Sequence, residues 1–159
     1  MTLNSERRVI VFAKQPLPGY AKSRLGRALG DEQAAGVYAR LLYSYLHDLT
    51  ELDSQDTGVE LSLAEVEDIP YFIDAFPEFL VRSQVAGNLG DRLAGAFEQA
   101  FSEGARKVVL TGSDVPDLDH QVVEQALDAL EESPVVLGPS NDGGYYLIGL
   151  QEPADSLFR

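Results

Sequence analysis

The sequence predicts an α/β domain, a three-layer α/β/α sandwich around a mostly parallel sheet, and three observations carry that prediction. Short apolar runs rich in β-branched residues, such as Val9-Ile10-Val11-Phe12 and Val108-Val109-Leu110, alternate with longer stretches whose apolar residues recur at helical spacing. Several of the runs lead straight into loops rich in glycine, proline and aspartate, as strands do when they end beside a ligand. The length of 159 residues, with 45% apolar and 24% charged residues, suits one globular domain spanning residues 1–159.

The first strand covers Arg8 to Phe12 and reads as buried and parallel. Pro16, Pro18 and Gly19 then stop it and stiffen a loop, because proline fixes φ and lacks an N–H. Lys14, Lys22 and Arg24 hang on this loop, which makes it a candidate anion cradle. It is not a Walker A loop, since two residues separate Gly19 from Lys22, and no Gly-x-Gly-x-x-Gly follows the strand. A helix is expected from Asp31, acting as N-cap, to about Leu52, with Ala34, Val37, Tyr38, Leu41, Leu42, Tyr45, Leu46 and Leu49 on its buried face. Its tyrosines read as core residues with wet hydroxyls, and His47 as a surface residue.

Val59, Leu61 and Leu63 alternate with polar residues, which predicts a strand with one wetter face. A short helix follows Pro70, then a surface connection and a short strand from Leu80 to Gln84. Gly87-Asn88-Leu89-Gly90-Asp91-Arg92 leads into a helix buried through Leu89, Leu93, Ala96, Phe97, Ala100 and Phe101 and ended by Gly104. The strand Lys107–Leu110 runs into Gly112-Ser113-Asp114-Val115-Pro116-Asp117-Leu118, and Asp119 caps the next helix. A strand at Val135–Leu137 meets Gly138–Gly144, and Tyr145–Leu150 forms another.

Charge and composition exclude several functions. The net charge is −14, yet the first 30 residues carry six basic residues and one acid, and the remainder carries −19. So acidic a chain repels nucleic acid, while a small phosphate ligand can still meet the local basic loop. The absence of cysteine excludes disulfides and thiolate metal sites, and a count of only two histidines argues against a histidine-based zinc site. No apolar run approaches the roughly 18 residues of a membrane helix, and Met1–Arg8 lacks the apolar core of a signal peptide, so a cytoplasmic location without membrane partners is expected.

Asp114 and Asp142 each sit in a loop that follows a strand. If both face one cleft opposite the cationic loop, they suit Mg²⁺ or Mn²⁺ bridging a nucleotide's phosphates, with substrate oxygens and waters completing the shell. The ion would neutralise a departing pyrophosphate or nucleoside diphosphate, with Lys22 and Arg24 stabilising the rest. Gly143 and Gly144 would let backbone approach the ligand. Gly-Ser-Asp and Asp-Gly-Gly are also ordinary turn sequences, so it is the combination with the cationic loop that favours a site.

Four ordered motifs carry a resemblance: Ala-Lys-x-Pro-x-Pro-Gly-x-x-Lys-Ser-Arg-Leu at 13–25, Gly-x-Leu-Gly-x-Arg at 87–92, Gly-Ser-Asp-x-Pro-x-Leu at 112–118 and Gly-Pro-x-x-Asp-Gly-Gly-Tyr-x-Leu-Ile-Gly at 138–149. Over nearly the whole chain the sequence resembles the DUF2064 family, also called the arsenosugar-biosynthesis-type glycosyltransferases. That family lies among the Rossmann-like nucleotide-diphospho-sugar transferases of GT-A fold, with molybdenum-cofactor guanylyltransferase-like proteins and phospholactate guanylyltransferase as kin. The resemblance implies a transferase using a nucleotide donor and Mg²⁺ or Mn²⁺, with glycosyl transfer from a nucleotide sugar to a small-molecule acceptor as the first reading. Nucleotidyl transfer from a nucleoside triphosphate, or a non-catalytic nucleotide-binding module, are its alternatives.

By position, the resemblance assigns Ala13, Lys14, Pro18, Gly19, Lys22, Arg24, Asn88, Gly90, Arg92 and Asp114 to the nucleotide. It assigns Asp114 and Asp142 to the metal, and Lys22, Arg24 and Asp142 to catalysis. Ser23 stands where the family usually has threonine, which keeps the hydroxyl. Family members typically continue through a further strand and helix beyond Leu157-Phe158, so those elements are expected to be missing here, and apolar surface left uncovered would favour a homodimer.

Overall fold

The computed structural model describes residues 5–159; residues 1–4, the start of the polar segment read against a signal peptide, lie outside it. Six strands form one sheet: β1 (Arg7–Ala13), β2 (Thr57–Leu63), β3 (Leu80–Ser83), β4 (Lys107–Thr111), β5 (Val135–Pro139) and β6 (Tyr145–Leu150). Their order is β3-β2-β1-β4-β6-β5. The pairings β3–β2, β2–β1 and β1–β4 are parallel, whereas β6 runs antiparallel to both β4 and β5. The helices are α1 (Ser23–Leu29), α2 (Asp31–Asp48), α3 (Ile69–Ala75), α4 (Leu89–Ser102) and α5 (His120–Ala129). This is the three-layer, mostly parallel sandwich that the alternating pattern predicts.

The two faces of the sheet bury different helices. Val9, Val11 and Ala13 of β1 join one core with Tyr38, Leu42, Tyr45 and Leu46 of α2, Phe72 of α3, and Val123 and Leu127 of α5. Ile10 points the other way, into a second core with Leu93, Ala96, Phe97 and Ala100 of α4. The period-two alternation of β1 is therefore apolar on both faces, as a central parallel strand requires. Each large side chain so buried contributes about 1.5–3 kcal/mol.

Several local expectations are corrected. The stretch after the cationic loop is not all loop, because Ser23–Leu29 forms α1. Gly30, not Asp31, is the N-cap of α2, which ends at Asp48 and continues as a 3₁₀ turn over Leu49–Glu51. Val37 is 41% exposed and Leu89 65% exposed; Leu89 is the first residue of α4, before the helix has turned toward the sheet. The hydroxyls of Tyr38 and Tyr45 are not wet: they hydrogen bond to Ser113 Oγ at 2.9 Å and Thr111 Oγ1 at 2.8 Å.

The largest correction is β2, which is buried at every position and has no wet face. Glu60 is covered because it meets cations from both neighbouring strands. Arg8 on β1 lies 3.4 Å from it, Arg82 on β3 lies 3.3 Å from it, and Glu103, just after α4, completes the cluster at 2.5 Å from Arg8 and 2.8 Å from Arg82. Burial pushes the Glu60 carboxyl up against the pull of Arg82 and Arg8. Glu103 is driven the same way by burial, but hydrogen bonds from Arg82 and Arg8 outweigh this and hold it low. Alternating polarity signals a solvated face only where no opposite charge arrives from elsewhere in the chain.

Candidate functional site

The chain reverses its direction of sheet growth between β1 and β4. From β1 it adds β2 and β3 on one side, then crosses to place β4 on the other. The loops leaving adjacent strands therefore diverge there and open a crevice at the carboxyl ends, where ligands of open α/β sheets bind. A cleft of about 220 Å³ occupies that position. Phe12, Ala13 and Lys14 line it from β1 and its loop, Ala21 and Lys22 from the far end of that loop, Tyr38 from α2, Ala64 and Gln84 from the ends of β2 and β3, and Gly112, Ser113 and Asp114 from the loop after β4. A larger hollow of about 470 Å³ opens beside the start of β2, but Glu78 is the one charged residue among the described residues that line it, so it does not suit an anion.

Lys22 and Asp114, 92 residues apart, face each other across the cleft with Nζ 2.7 Å from Oδ2. Their side chains are 35% and 39% exposed, so the pair is open to a ligand and weakened by solvent. Lys22 takes a left-handed backbone conformation, φ 55 and ψ 48, as the loop turns into α1. A lysine with positive φ is uncommon, and strain of this kind gathers at functional sites.

Lys14 is held by its own loop. Its Nζ donates to the Tyr20 carbonyl at 3.3 Å and lies 5.0 Å from the centre of the Tyr20 ring, while its backbone N–H donates to Tyr38 Oη at 3.1 Å. The same hydroxyl meets Ser113 Oγ, so Tyr38 fastens the loop after β1 to the loop after β4. Pro18 and Gly19 lie exposed on the outer turn of the cationic loop, and Gly19 has φ +76, which a glycine adopts freely. Arg24 is exposed on α1.

The glycine-rich stretch before α4 lies farther out. Asn88 caps α4, accepting from Asp91 N at 2.9 Å in a reciprocal capping box. Gly90 allows close packing: a Cβ there would meet the Phe158 carbonyl oxygen. Arg92 touches the cleft through an intermediary, donating to Gln84 Oε1 at 3.1 Å.

Asp142 sits in the turn between β5 and β6. Because Thr111 pairs with Leu147 and Pro139 with Tyr145, this turn projects from the same sheet edge as Asp114. β6 lies between β4 and β5, however, so the loops after those two strands are rooted about 10 Å apart. The Asp142 carboxylate accepts from Ser140 Oγ at 2.5 Å and Gly144 N at 3.1 Å, and those hydrogen bonds hold it below the usual carboxylate range. It is not among the residues lining the cleft.

Three contributors escape sequence reasoning. Tyr38 reads as an ordinary core tyrosine, and Gln84 as the end of a strand. Asp68, in the 3₁₀ turn before α3, reads as part of a surface connection, yet it is buried and contacts the cationic loop. None of them belongs to a recognisable motif.

A family model described as an uncharacterized protein conserved in bacteria, DUF2064, matches residues 49–159. The chain belongs to the DUF2064 family. Among solved structures, a "putative nucleotide-diphospho-sugar transferase" from Desulfovibrio desulfuricans G20 is 33% identical, with a TM-score of 0.88 over 97% of this chain and 68% of that one. Two more distant structures share the fold alone. Rv0371C from Mycobacterium tuberculosis H37Rv, solved as a manganese complex, is 14% identical with a TM-score of 0.58 over 98% of this chain and 75% of that one. The 4-diphosphocytidyl-2C-methyl-D-erythritol synthase from Anaerococcus prevotii is 11% identical with a TM-score of 0.55 over 98% of this chain and 74% of that one. No curated protein sequence matches the chain. This DUF2064 member is thus an α/β domain of the nucleotide-diphospho-sugar transferase type, and no helix among its described residues is long and apolar enough to cross a membrane.

Proposed function

We propose that this DUF2064 domain serves a transferase that uses a nucleotide donor, and that the reaction is glycosyl transfer from a nucleotide sugar to a small acceptor. The observation that carries the reading is the opposition of Lys22 and Asp114 across the cleft at the β1–β4 switch. A diphosphate laid along the cationic loop would meet Lys14 and Lys22, with Arg24 nearby on α1. The 33% identical structure bearing a nucleotide-diphospho-sugar transferase name supports the donor class.

The donor chemistry suits Mg²⁺ or Mn²⁺. Asp114 supplies a hard carboxylate at the cleft, and among the described residues no three His, Cys, Asp or Glu side chains gather into a cage. Such an ion would be held by Asp114, phosphate oxygens and water, with Asp142 as the second carboxylate available from the neighbouring turn. Bound there, it would supply charge neutralisation on the departing diphosphate. Lys22, which neutralises Asp114 in the free chain, would turn to the phosphates, and Lys14 and Lys22 would stabilise the negative charge as the sugar–oxygen bond breaks.

Calorimetry tests this with nucleoside diphosphates and nucleotide sugars, with and without Mn²⁺. Binding should need Mn²⁺ and fall at least about tenfold in Asp114→Asn, the loss of one charge-assisted contact. The same measurement on Asp142→Asn decides whether the second carboxylate takes part. Release of a nucleoside diphosphate marks sugar transfer, release of pyrophosphate marks nucleotidyl transfer, and binding without turnover leaves a nucleotide-holding module. If no nucleotide binds with Mn²⁺ present, the reading is wrong.

A further inference from the structure

We infer that Asp68 is the positioning residue of the cationic loop, fixing the shape in which Lys14 and Lys22 meet a diphosphate; this rests on the nucleotide reading of the cleft. Asp68 immediately precedes α3, in the position where an aspartate ordinarily caps its own helix, but its side chain makes no cap. It reaches instead to a segment 48–53 residues earlier: Oδ2 accepts from the Gln15 backbone N–H at 2.9 Å and from Tyr20 Oη at 2.8 Å. One carboxylate oxygen therefore ties the beginning of the Gln15–Tyr20 loop to its end. The residue is 4% exposed, and a carboxylate this buried is costly unless its hydrogen bonds are made.

The tie extends to both lysines. Tyr20, held by Asp68, supplies the carbonyl and the ring that fix Lys14 Nζ. Two residues after Tyr20 the chain reaches Lys22, whose left-handed backbone points its side chain at Asp114. Burial, with the hydrogen bond and charge of Asp68, pushes the Tyr20 phenol well above its ordinary value, so it remains a donor at any physiological pH. The prolines stiffen the interior of the loop, while Asp68 sets where the stiff piece sits. Positioning of this kind is what makes a binding loop effective.

The experiment compares wild type, Asp68→Asn, Asp68→Ala and Tyr20→Phe. Amide hydrogen exchange follows residues 14–22, and calorimetry with Mn²⁺ follows a nucleoside diphosphate and the matching unphosphorylated nucleoside. Asp68→Ala should speed exchange across the loop and weaken the diphosphate at least about tenfold, the usual consequence of losing hydrogen bonds to a charged group. Nucleoside affinity should change less than about twofold. Asp68→Asn, which keeps an acceptor oxygen, should recover most of the loss, and Tyr20→Phe, which removes one anchor, should fall between. Unchanged loop exchange in Asp68→Ala, or an equal loss for both ligands, would overturn the inference. If Asp68→Ala does not fold, the ordering of Tyr20→Phe below wild type on both readouts decides. If the wild type binds neither ligand, the nucleotide reading fails by itself, and loop exchange alone judges the anchor.

Discussion

Lys22 combines a strained backbone with an exposed ion pair, and the two can be separated by substitution. A left-handed lysine costs roughly 1 kcal/mol that glycine would not incur. The ion pair to Asp114, open to water on both sides, returns little. Lys22→Gly should therefore leave the unfolding free energy within about 1 kcal/mol of wild type, since relief of strain and the added freedom of the unfolded chain offset each other. Nucleoside diphosphate affinity should drop at least about tenfold with the loss of the ammonium. Urea denaturation and calorimetry on the same protein check both halves. A large stability loss would show that Lys22 is retained for the fold; unchanged affinity would remove it from the phosphate site. Arg24 has no comparable tie to the cleft, which distinguishes two cations that stand two residues apart in the sequence.

Elements are joined by a second carboxylate that works at a distance, with consequences for pH. Asp48, the last residue of α2, receives the backbone N–H of His120 at 2.5 Å and its Nδ1 at 2.9 Å, tying the end of α2 to the start of α5. The hydrogen bond to Asp48 raises the His120 pKa above 6.5, with the charges of Asp48, Glu124 and Asp119 adding to it and slight burial opposing it. A raised folded value means that the folded state holds the proton more tightly than the unfolded chain. The stabilisation is complete below pH 6.5 and disappears as pH climbs through the raised folded value. Thermal unfolding of wild type should thus show a loss of up to about 1 kcal/mol above pH 6.5. Asp48→Asn keeps an acceptor for the amide but loses the charge, and its profile should be flatter over that window. Parallel profiles for the two proteins would contradict the assignment.

The whole molecule is an acidic body in which half of the twelve basic residues lie in the first 30 positions, on β1, the cationic loop and α1. An anionic ligand at the proposed site would therefore bind locally, through contact with the loop rather than by long-range attraction, which the net charge of −14 opposes. A ligand that binds only the folded state stabilises it by about 2.7 kcal/mol at a hundredfold excess over its Kd, and each kcal/mol moves the Tm of a domain this size by roughly 2–4 °C. A nucleoside diphosphate with Mn²⁺ should accordingly raise Tm by at least about 5 °C, and the unphosphorylated nucleoside by much less. Scanning calorimetry reads this directly; equal shifts for both ligands would mean that the phosphates are not what the cleft grips.

Much of this protein was already present in its linear pattern. Runs such as Val9–Phe12 and Val108–Leu110 mark buried strands because branched apolar side chains satisfy a sheet covered on both faces. Asp119 and Gly104 mark helix ends because backbone groups there need a partner or a positive φ. Lys14, Lys22 and Asp114 could be named as candidates because cations and carboxylates just after strands fall at one edge of a parallel sheet.

Other features depended on segments meeting that the chain keeps far apart. Helix α1 hides in a stretch of prolines and cations, and Glu60 looks solvent-facing until Arg8, Arg82 and Glu103 arrive around it. The placing of β6 between β4 and β5 sets the distance between the loops of Asp114 and Asp142. Asp68 gains its meaning only when α3 packs beside the loop after β1. Hydrophobic period and capping are written in neighbouring residues, so sequence determines the elements and their ends. Strand order and buried polar contacts are free-energy balances over the whole packed chain, and they are decided only when it folds.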